Sequence, residues 1–537
     1  MASGMNGRWL GVVVGVCALL VFGACAEAGP GPGARFRVNF PDPMPMPEHG
    51  AEGRLMVFVV RADGPRLELG EMVFSDPQPI YSIAIPNARA GMEALVADQA
   101  DAFPDVPSAL PAGRYRAMVV FRRVRANSSW RREPGNLYSD EVRFEVRDGE
   151  ARDVRLMLNG IVRDEGVRER RLPGARAPGT GTQVESVEID SRILEEARGA
   201  VSRLRARVVP PMRMEAGRKY PAVYVIHGFG GDFREDAAME ARRRASLQRG
   251  SVEQRIREHA YLVFLDGEGP YGHHLFADSA NNGPVGRALV EELIPAIEER
   301  FAMLGTARGR TVTGHSSGAW SGMWLALTYP EVFGACFVTA PDPIDFRGFQ
   351  NTDIYREDSM FTDEAGREKP VYRRGGRVLM TVAQENRMER AMGPGAWSAQ
   401  QWSSWHAAFG ARGADGEPVV LFDARTGKID RSAREHWRKY DMGAMLRDDP
   451  ERLLPLWRER VRMVIGTEDA YYLERPAMKV WETIERLSAD RNEPVTGADG
   501  FAPIVFAEGY THATVQRSDE AGRLRGLLAR WVEGAGE

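Results

Sequence analysis

A chain of 537 residues exceeds what one compact core accommodates, so two or more domains are expected. Hydrophobic residues at 43% and charged residues at 27% are ordinary globular values and exclude long disorder or a fibrous repeat. The net charge of −4, from 71 basic and 75 acidic residues mixed along the sequence, leaves no basic face for nucleic acid or an anionic membrane.

The first residues read as an export signal. Arg8 precedes an apolar run over 10–22 that is too short to span a bilayer comfortably, and the small residues Gly23-Ala24-Cys25-Ala26-Glu27-Ala28 follow. A signal peptide over 1–28 is expected, with the mature chain beginning between Glu27 and Gly29 in the periplasm, outside the cell or on its outer surface. Cys25 after a small pair also resembles a bacterial lipoprotein box, although Phe22 stands where that box has Leu. A lipid on Cys25 is the one membrane attachment to weigh. With Cys17, Cys25 and Cys336 the only cysteines, the mature chain is expected to carry no internal disulfide. Cys336, in the run Ala335-Cys336-Phe337-Val338, reads as a small buried hydrophobe.

Residues 35–161 show apolar and polar positions alternating at strand spacing, as at 54–60, 115–121, 142–146 and 154–158, with turn residues between them. A small all-β, sandwich-like domain is expected there. It holds no catalytic cluster, so packing is its default role and carbohydrate binding the alternative. The Gly/Pro/Arg-rich stretch 162–182 reads as a linker.

From 183 to the C-terminus the pattern changes to apolar runs separated by helical stretches, the signature of a mostly parallel sheet covered on both faces. Strands are expected at 222–226, 261–265, 311–313, 336–339, 378–382, 461–465 and 503–506. The helical stripe Leu289, Leu293, Ile294, Ile297, Phe301 contains Pro295, which should kink it. A second stripe runs through Leu524, Leu527, Leu528 and Trp531. The irregular region at about 345–455 is too long for an ordinary connection, and part of it is expected to form a lid or insertion over the site.

The strongest chemical signal is Gly314-His315-Ser316-Ser317-Gly318, between a short β-branched strand and a helical run that stops before Pro330. This matches the Gly-x-Ser-x-Gly elbow, whose glycines permit a turn too tight and too close to neighbouring backbone for larger side chains, and which presents the serine hydroxyl at a helix N-terminus. His227-Gly228-Phe229-Gly230-Gly231 follows the apolar strand ending at Ile226 and can aim backbone N–H groups at an oxyanion; the amides of Phe229 and Ser317 are the expected donors. His227 itself is expected to brace that loop. Among nine histidines, chain order selects His512 as the base, because it follows the last strand. His49, His259, His406 and His436 suit surface or packing roles, and His273 and His274, in a Gly-rich loop before the serine, suit substrate contact. The acid should follow a strand near the end of the sheet, where Gly466-Thr467-Glu468-Asp469 offers Asp469; Asp342, one strand earlier, is the alternative.

Together with Tyr220-Pro221-Ala222-Val223-Tyr224-Val225-Ile226-His227-Gly228 and with Asp278-Ser279 before the helix carrying Glu292-Leu293-Ile294-Pro295, these motifs resemble the esterase family of α/β-hydrolases. That family includes esterase D, feruloyl esterases, enterochelin esterases and mycolyltransferases. The resemblance covers roughly residues 209 to the C-terminus. It implies a metal-independent acyl-enzyme mechanism without cofactor, mapped onto Ser316, Asp469 and His512. The expected substrates are small-molecule or polysaccharide-linked esters, siderophore-type esters among them. Acyl transfer to an acceptor other than water is one alternative, and a noncatalytic surface-binding protein that keeps the hydrolase shell is another. An exported peptidase ranks below both, since nothing resembles a prolyl-oligopeptidase propeller.

Overall fold

The computed structural model describes residues 33–43, 51–63, 74–148, 150–163 and 184–535. The expected signal segment, Cys25 and residues 164–182 of the expected linker lie outside the described residues.

The strands from Gly33–Asn39 to Ala151–Ile161 join into one sheet of nine, antiparallel throughout except where Gly33–Asn39 runs parallel to Ala151–Ile161. The sheet curls around its own core, which includes Phe36, Val38, Leu55, Val57, Val59, Tyr81, Val119 and Phe121. One strand departs from simple alternation. In Ala51–Arg61 every residue from Leu55 to Val60 is both apolar and buried, because Met56, Phe58 and Val60 point away from that core. With Met118 and Val120 of the neighbouring strand Gly113–Arg122, they enter the core of the second domain. A strand buried on both faces reads as a continuous apolar run. The β-domain is therefore docked face-on against the rest of the chain.

The second domain is built on eight strands in the order Glu185–Asp190, Arg203–Val209, Tyr261–Leu265, Ala222–Ile226, Arg310–His315, Ala335–Thr339, Val461–Gly466 and Ile504–Ala507. The last six pair in parallel; the first two form an antiparallel edge that the apolar runs did not reveal, since charged residues interrupt both. The expected strand at 378–382 lies elsewhere. Among the described residues Arg377–Thr381 pairs only with Pro370–Arg374, in a separate hairpin, its exposed Arg377 and Val378 being unsuited to a sheet covered on both faces. At Pro295 a wide π turn over Leu289–Leu293 precedes the helix Ile294–Arg300, which accommodates a ring that has no N–H to donate and needs room one turn back.

Between Ala335–Thr339 and Val461–Gly466 the chain forms the hairpin and the helices Val382–Met392, Gln401–Phe409, Arg431–Trp437, Met442–Asp448 and Pro450–Arg460. These surround a dense aromatic cluster. Phe349 packs on Trp405 and Trp437 at 5.0 and 5.3 Å, and Phe409 meets Trp320 of the elbow helix Ser317–Thr328 at 5.1 Å. Contacts of this kind, each worth about 0.5–1.5 kcal/mol beyond area burial, make the insertion a fixed wall of the domain.

Candidate active site

Parallel strands put their carboxyl ends at one rim, and loops leaving that rim build sites in open α/β sheets. Registers Ile226↔Gly314, His315↔Thr339, Thr339↔Val464 and Gly466↔Ala507 align five of these ends, and the loops carrying Phe229, Ser316, Asp469 and His512 leave from four of them.

Ser316 has φ 59° and ψ −128°, a strained conformation for a side chain with a Cβ. Its neighbours explain why it persists. Ser316 N–H donates to Thr339 O at 3.1 Å and Ser316 O accepts from Ala319 N–H at 2.9 Å. A Cβ on Gly318 would lie 2.1 Å from Ile226 O, and one on Gly314 would lie 2.4 Å from the Gly318 carbonyl. The elbow thus closes only with glycine at both places.

Gly466 does the same for the opposite side of the site. A Cβ there would stand 2.0 Å from Tyr510 O, so its absence lets the histidine loop cross the acid loop. Glu468 N–H donates to Tyr510 O at 3.0 Å and Thr467 N–H to Ala507 O at 3.0 Å, tying the loops together. The product is a hydrogen bond of 2.8 Å between His512 Nδ1 and Asp469 Oδ2. Asp469 is wholly buried and His512 is 12% exposed. Asp469 Oδ1 accepts from Tyr471 N–H at 2.9 Å, fixing the carboxylate plane. Burial pulls the His512 pKa down, but the charge and hydrogen bond of Asp469, with a contribution from Asp342, outweigh it and hold the imidazole above its ordinary value.

Asp342 faces elsewhere. It accepts from Ser317 Oγ at 2.7 Å and from Trp405 Nε1 at 3.0 Å, and burial raises its pKa despite both bonds. Of the two carboxylates weighed from the sequence, Asp469 is the one hydrogen-bonded to the imidazole of His512.

His512 packs its ring 4.5 Å from that of His315, the residue before Ser316. His315 Nδ1 shares a hydrogen with Thr339 Oγ1 at 2.9 Å, and burial, then the nearby His512, lower its pKa to about 3, so it flanks His512 as a neutral ring. Among the described residues no hydrogen bond joins Ser316 to His512; such contacts commonly tighten only when substrate is present. Beneath the elbow, His315, Gly228, Thr339 and Leu524 border a cavity of about 300 Å³.

The loop after Ile226 runs against the elbow, where a Cβ on Gly228 would come within 3.3 Å of Ser316 Cβ. Gly231 N–H donates to Gly228 O at 3.0 Å, closing a turn with φ +74° at Gly230. Among the described residues, neither Phe229 N–H nor Ser317 N–H has an acceptor. His227 braces this loop as expected: its Nδ1 donates to Gly228 O at 2.9 Å and its Nε2 accepts from Gly267 N–H at 3.0 Å.

His273 and His274 require a correction. His273 is fully buried, its Nε2 donating to His227 O at 3.0 Å and its Nδ1 accepting from Leu275 N–H at 3.1 Å. His274 is 5% exposed and its Nδ1 accepts from Phe276 N–H at 3.1 Å. Burial drives both pKa values down, that of His274 to about 3. These rings are buried and hold a loop from within the fold. The aromatic residues that do flank the imidazole had no motif to announce them. Tyr471 meets His512 edge-on at 5.0 Å, and Tyr372 and Phe74 pack on Tyr471 at 5.1 and 5.8 Å. Phe74 belongs to the β-domain.

The family model described as "Putative esterase" matches residues 201–488, a span that includes Ser316 and Asp469. The chain belongs to this family. It is an α/β hydrolase of the esterase type and a carboxylic ester hydrolase. Solved structures of similar fold include a ferulic acid esterase (13% identity, TM-score 0.35, covering 66% of this chain and 99% of that one). Another is an S-formylglutathione hydrolase from Agrobacterium tumefaciens (14%, 0.37, 66% and 98%). A third is the Porphyromonas gingivalis dipeptidyl peptidase 4 (11%, 0.34, 84% and 46%). No curated protein sequence matches.

Proposed function

We propose that this esterase works through Ser316, His512 and Asp469 by way of an acyl-enzyme. The observation that carries the reading is the 2.8 Å contact of His512 Nδ1 with buried Asp469, which leaves Nε2 as the free basic nitrogen beside the elbow. Nε2 takes the Ser316 proton as Oγ bonds to the acyl carbon. The carbonyl oxygen becomes an oxyanion held by the amides of Phe229 and Ser317, and His512 returns the proton to the departing alkoxide. Water, deprotonated by the same nitrogen, then releases the acid.

The alcohol leaves on the His512 side, so Tyr471, Tyr372 and Phe74 form its wall. A cluster of aromatic rings with Tyr hydroxyls suits sugar rings and aromatic alcohols, in keeping with carbohydrate-linked esters as substrates. The apolar run 10–22 behind Arg8 supports export. A fluorophosphonate probe tests the reading: it should label the protein at Ser316, and labelling should vanish in Ser316→Ala. A folded wild-type protein that fails to label is instead a noncatalytic binder. Product analysis with an added alcohol tells hydrolysis from acyl transfer.

A further inference from the structure

The turn that offers Phe229 N–H contains Gly228, Gly230 and Gly231, and glycine backbone is free to adopt many conformations. An oxyanion donor works only if it is aimed beforehand, so something outside the turn has to hold it. That something comes from the β-domain. Arg132 Nη1 donates to Gly231 O at 2.7 Å and to Gly230 O at 3.3 Å. Its Nε lies 3.3 Å from Asp232 Oδ2, and Asp232 in turn caps the helix Phe233–Arg243 through the N–H groups of Arg234 and Glu235. One guanidinium therefore grips both carbonyls that end the turn and the carboxylate that anchors it.

The segment presenting Arg132 is itself fixed. Trp130 is 3% exposed and belongs to the core of the second domain. Glu133, fully buried, accepts from Arg122 Nε at 2.8 Å, Asn136 Nδ2 at 2.7 Å, Ala126 N–H at 2.9 Å and Asn127 N–H at 3.0 Å. A second strut arrives beside the first: Ser128 N–H and Oγ donate to Glu268 at 2.6 and 2.9 Å, and Glu268 follows Gly267, whose N–H holds His227.

We propose that Arg132 is a positioning residue for the reaction, setting the oxyanion loop from the β-domain, so that this domain is a working part of the active site. The inference rests on the esterase reading above, and its test separates the two. Full-length wild type, Arg132→Met, Arg132→Lys, Arg132→Ala and Ser316→Ala are assayed on p-nitrophenyl acetate. In Arg132→Met, kcat falls at least about tenfold while KM moves less than about twofold. Arg132→Lys, which keeps one donor, lies between. A trifluoromethyl ketone, which forms a tetrahedral adduct on the serine, loses affinity by the same factor as kcat/KM, and millimolar guanidinium restores part of the kcat of Arg132→Ala. The inference is overturned if folded Arg132→Met keeps wild-type kcat, or if KM alone rises and the ketone binds as before. Should Arg132→Met not fold, the same split between kcat and KM in Arg132→Lys decides. A wild-type protein with neither turnover nor Ser316 labelling overturns the esterase reading instead.

Discussion

Asp469 and His512 meet at 2.8 Å only because Gly466 has no side chain. The backbone of Tyr510 passes through the space a Cβ would fill, and the two loops interlock there. The contact of Asp469 with the imidazole is thus set by a backbone crossing as much as by its own position.

Asp469→Asn should lower kcat by about 10⁴-fold, since an amide neither fixes the imidazole tautomer nor stabilises its charged form. Asp342→Asn should cost less than about tenfold, because the amide oxygen can still accept from Trp405 Nε1 or Ser317 Oγ. Initial rates on an activated aryl ester measure both. A larger loss for Asp342→Asn than for Asp469→Asn would reassign the acid.

The pH profile follows from the same pair. The base must be neutral to act, so kcat/KM rises with pH through the pKa of His512, and Asp469 places that midpoint above the ordinary imidazole value of about 6.5. In Asp469→Asn burial acts without its main opponent, and the midpoint of the residual activity should move to lower pH. A midpoint that stays put would mean another group governs the profile.

The elbow was legible because its requirement is steric and local: nothing but glycine fits at Gly314 and Gly318, whatever surrounds them. Chain order along the sheet singled out His512, and the structure brings its ring against Asp469 and His315. Asp342 and Asp469 both follow strand ends, and which of them meets the imidazole depends on a crossing between loops more than forty residues apart. Arg132 was invisible for a stronger reason. Apart from the carboxylates of Asp232 and Glu235, its partners are main-chain carbonyls in another domain, and carbonyls leave no side-chain signature. The run Leu55–Val60 did record the docking of the β-domain, through apolar residues on the face that an isolated sandwich would leave to water.

Gly318→Ala should cost at least about 3 kcal/mol, because the obstruction at 2.1 Å is backbone and cannot swing aside. Gly522→Ala is the matched control: it lies in the helix Asp519–Gly534 with open space about its Cα and should stabilise by up to about 1 kcal/mol. Urea denaturation of the two variants gives the comparison. Equal midpoints would remove the steric account of the elbow.

Phe74→Ala should raise KM for esters of aromatic alcohols about three- to tenfold, the worth of one aromatic contact, and leave methyl esters of the same acid unchanged. Phe74 reaches His512 only through Tyr471, so kcat should hold. An equal rise for both ester types would place Phe74 outside the leaving-group wall.

Stability toward acid should be limited by imidazoles buried neutral. His274 and His406, each about 5% exposed or less, have pKa values lowered by burial to about 3, whereas in the unfolded chain they titrate near 6.5. Below pH 6.5 the unfolded state binds protons that the folded state refuses. Their stabilising effect is complete above that pH and declines as pH falls, by about 1.4 kcal/mol per pH unit for each group. His406 permits a clean test. Its ring lies 5.8 Å from Trp402 and 5.7 Å from Phe422, and its buried Nε2 has no hydrogen-bond partner among the described residues. Phenylalanine should therefore fit there, gain from the lost desolvation penalty, and remove one proton from the pH dependence. Guanidinium unfolding of wild type and His406→Phe should show the same pH dependence near pH 7.5 and slopes whose difference approaches about 1.4 kcal/mol per unit between pH 6 and 5. Parallel slopes would mean that His406 takes up its proton in the folded state and that the aromatic cluster opens to water.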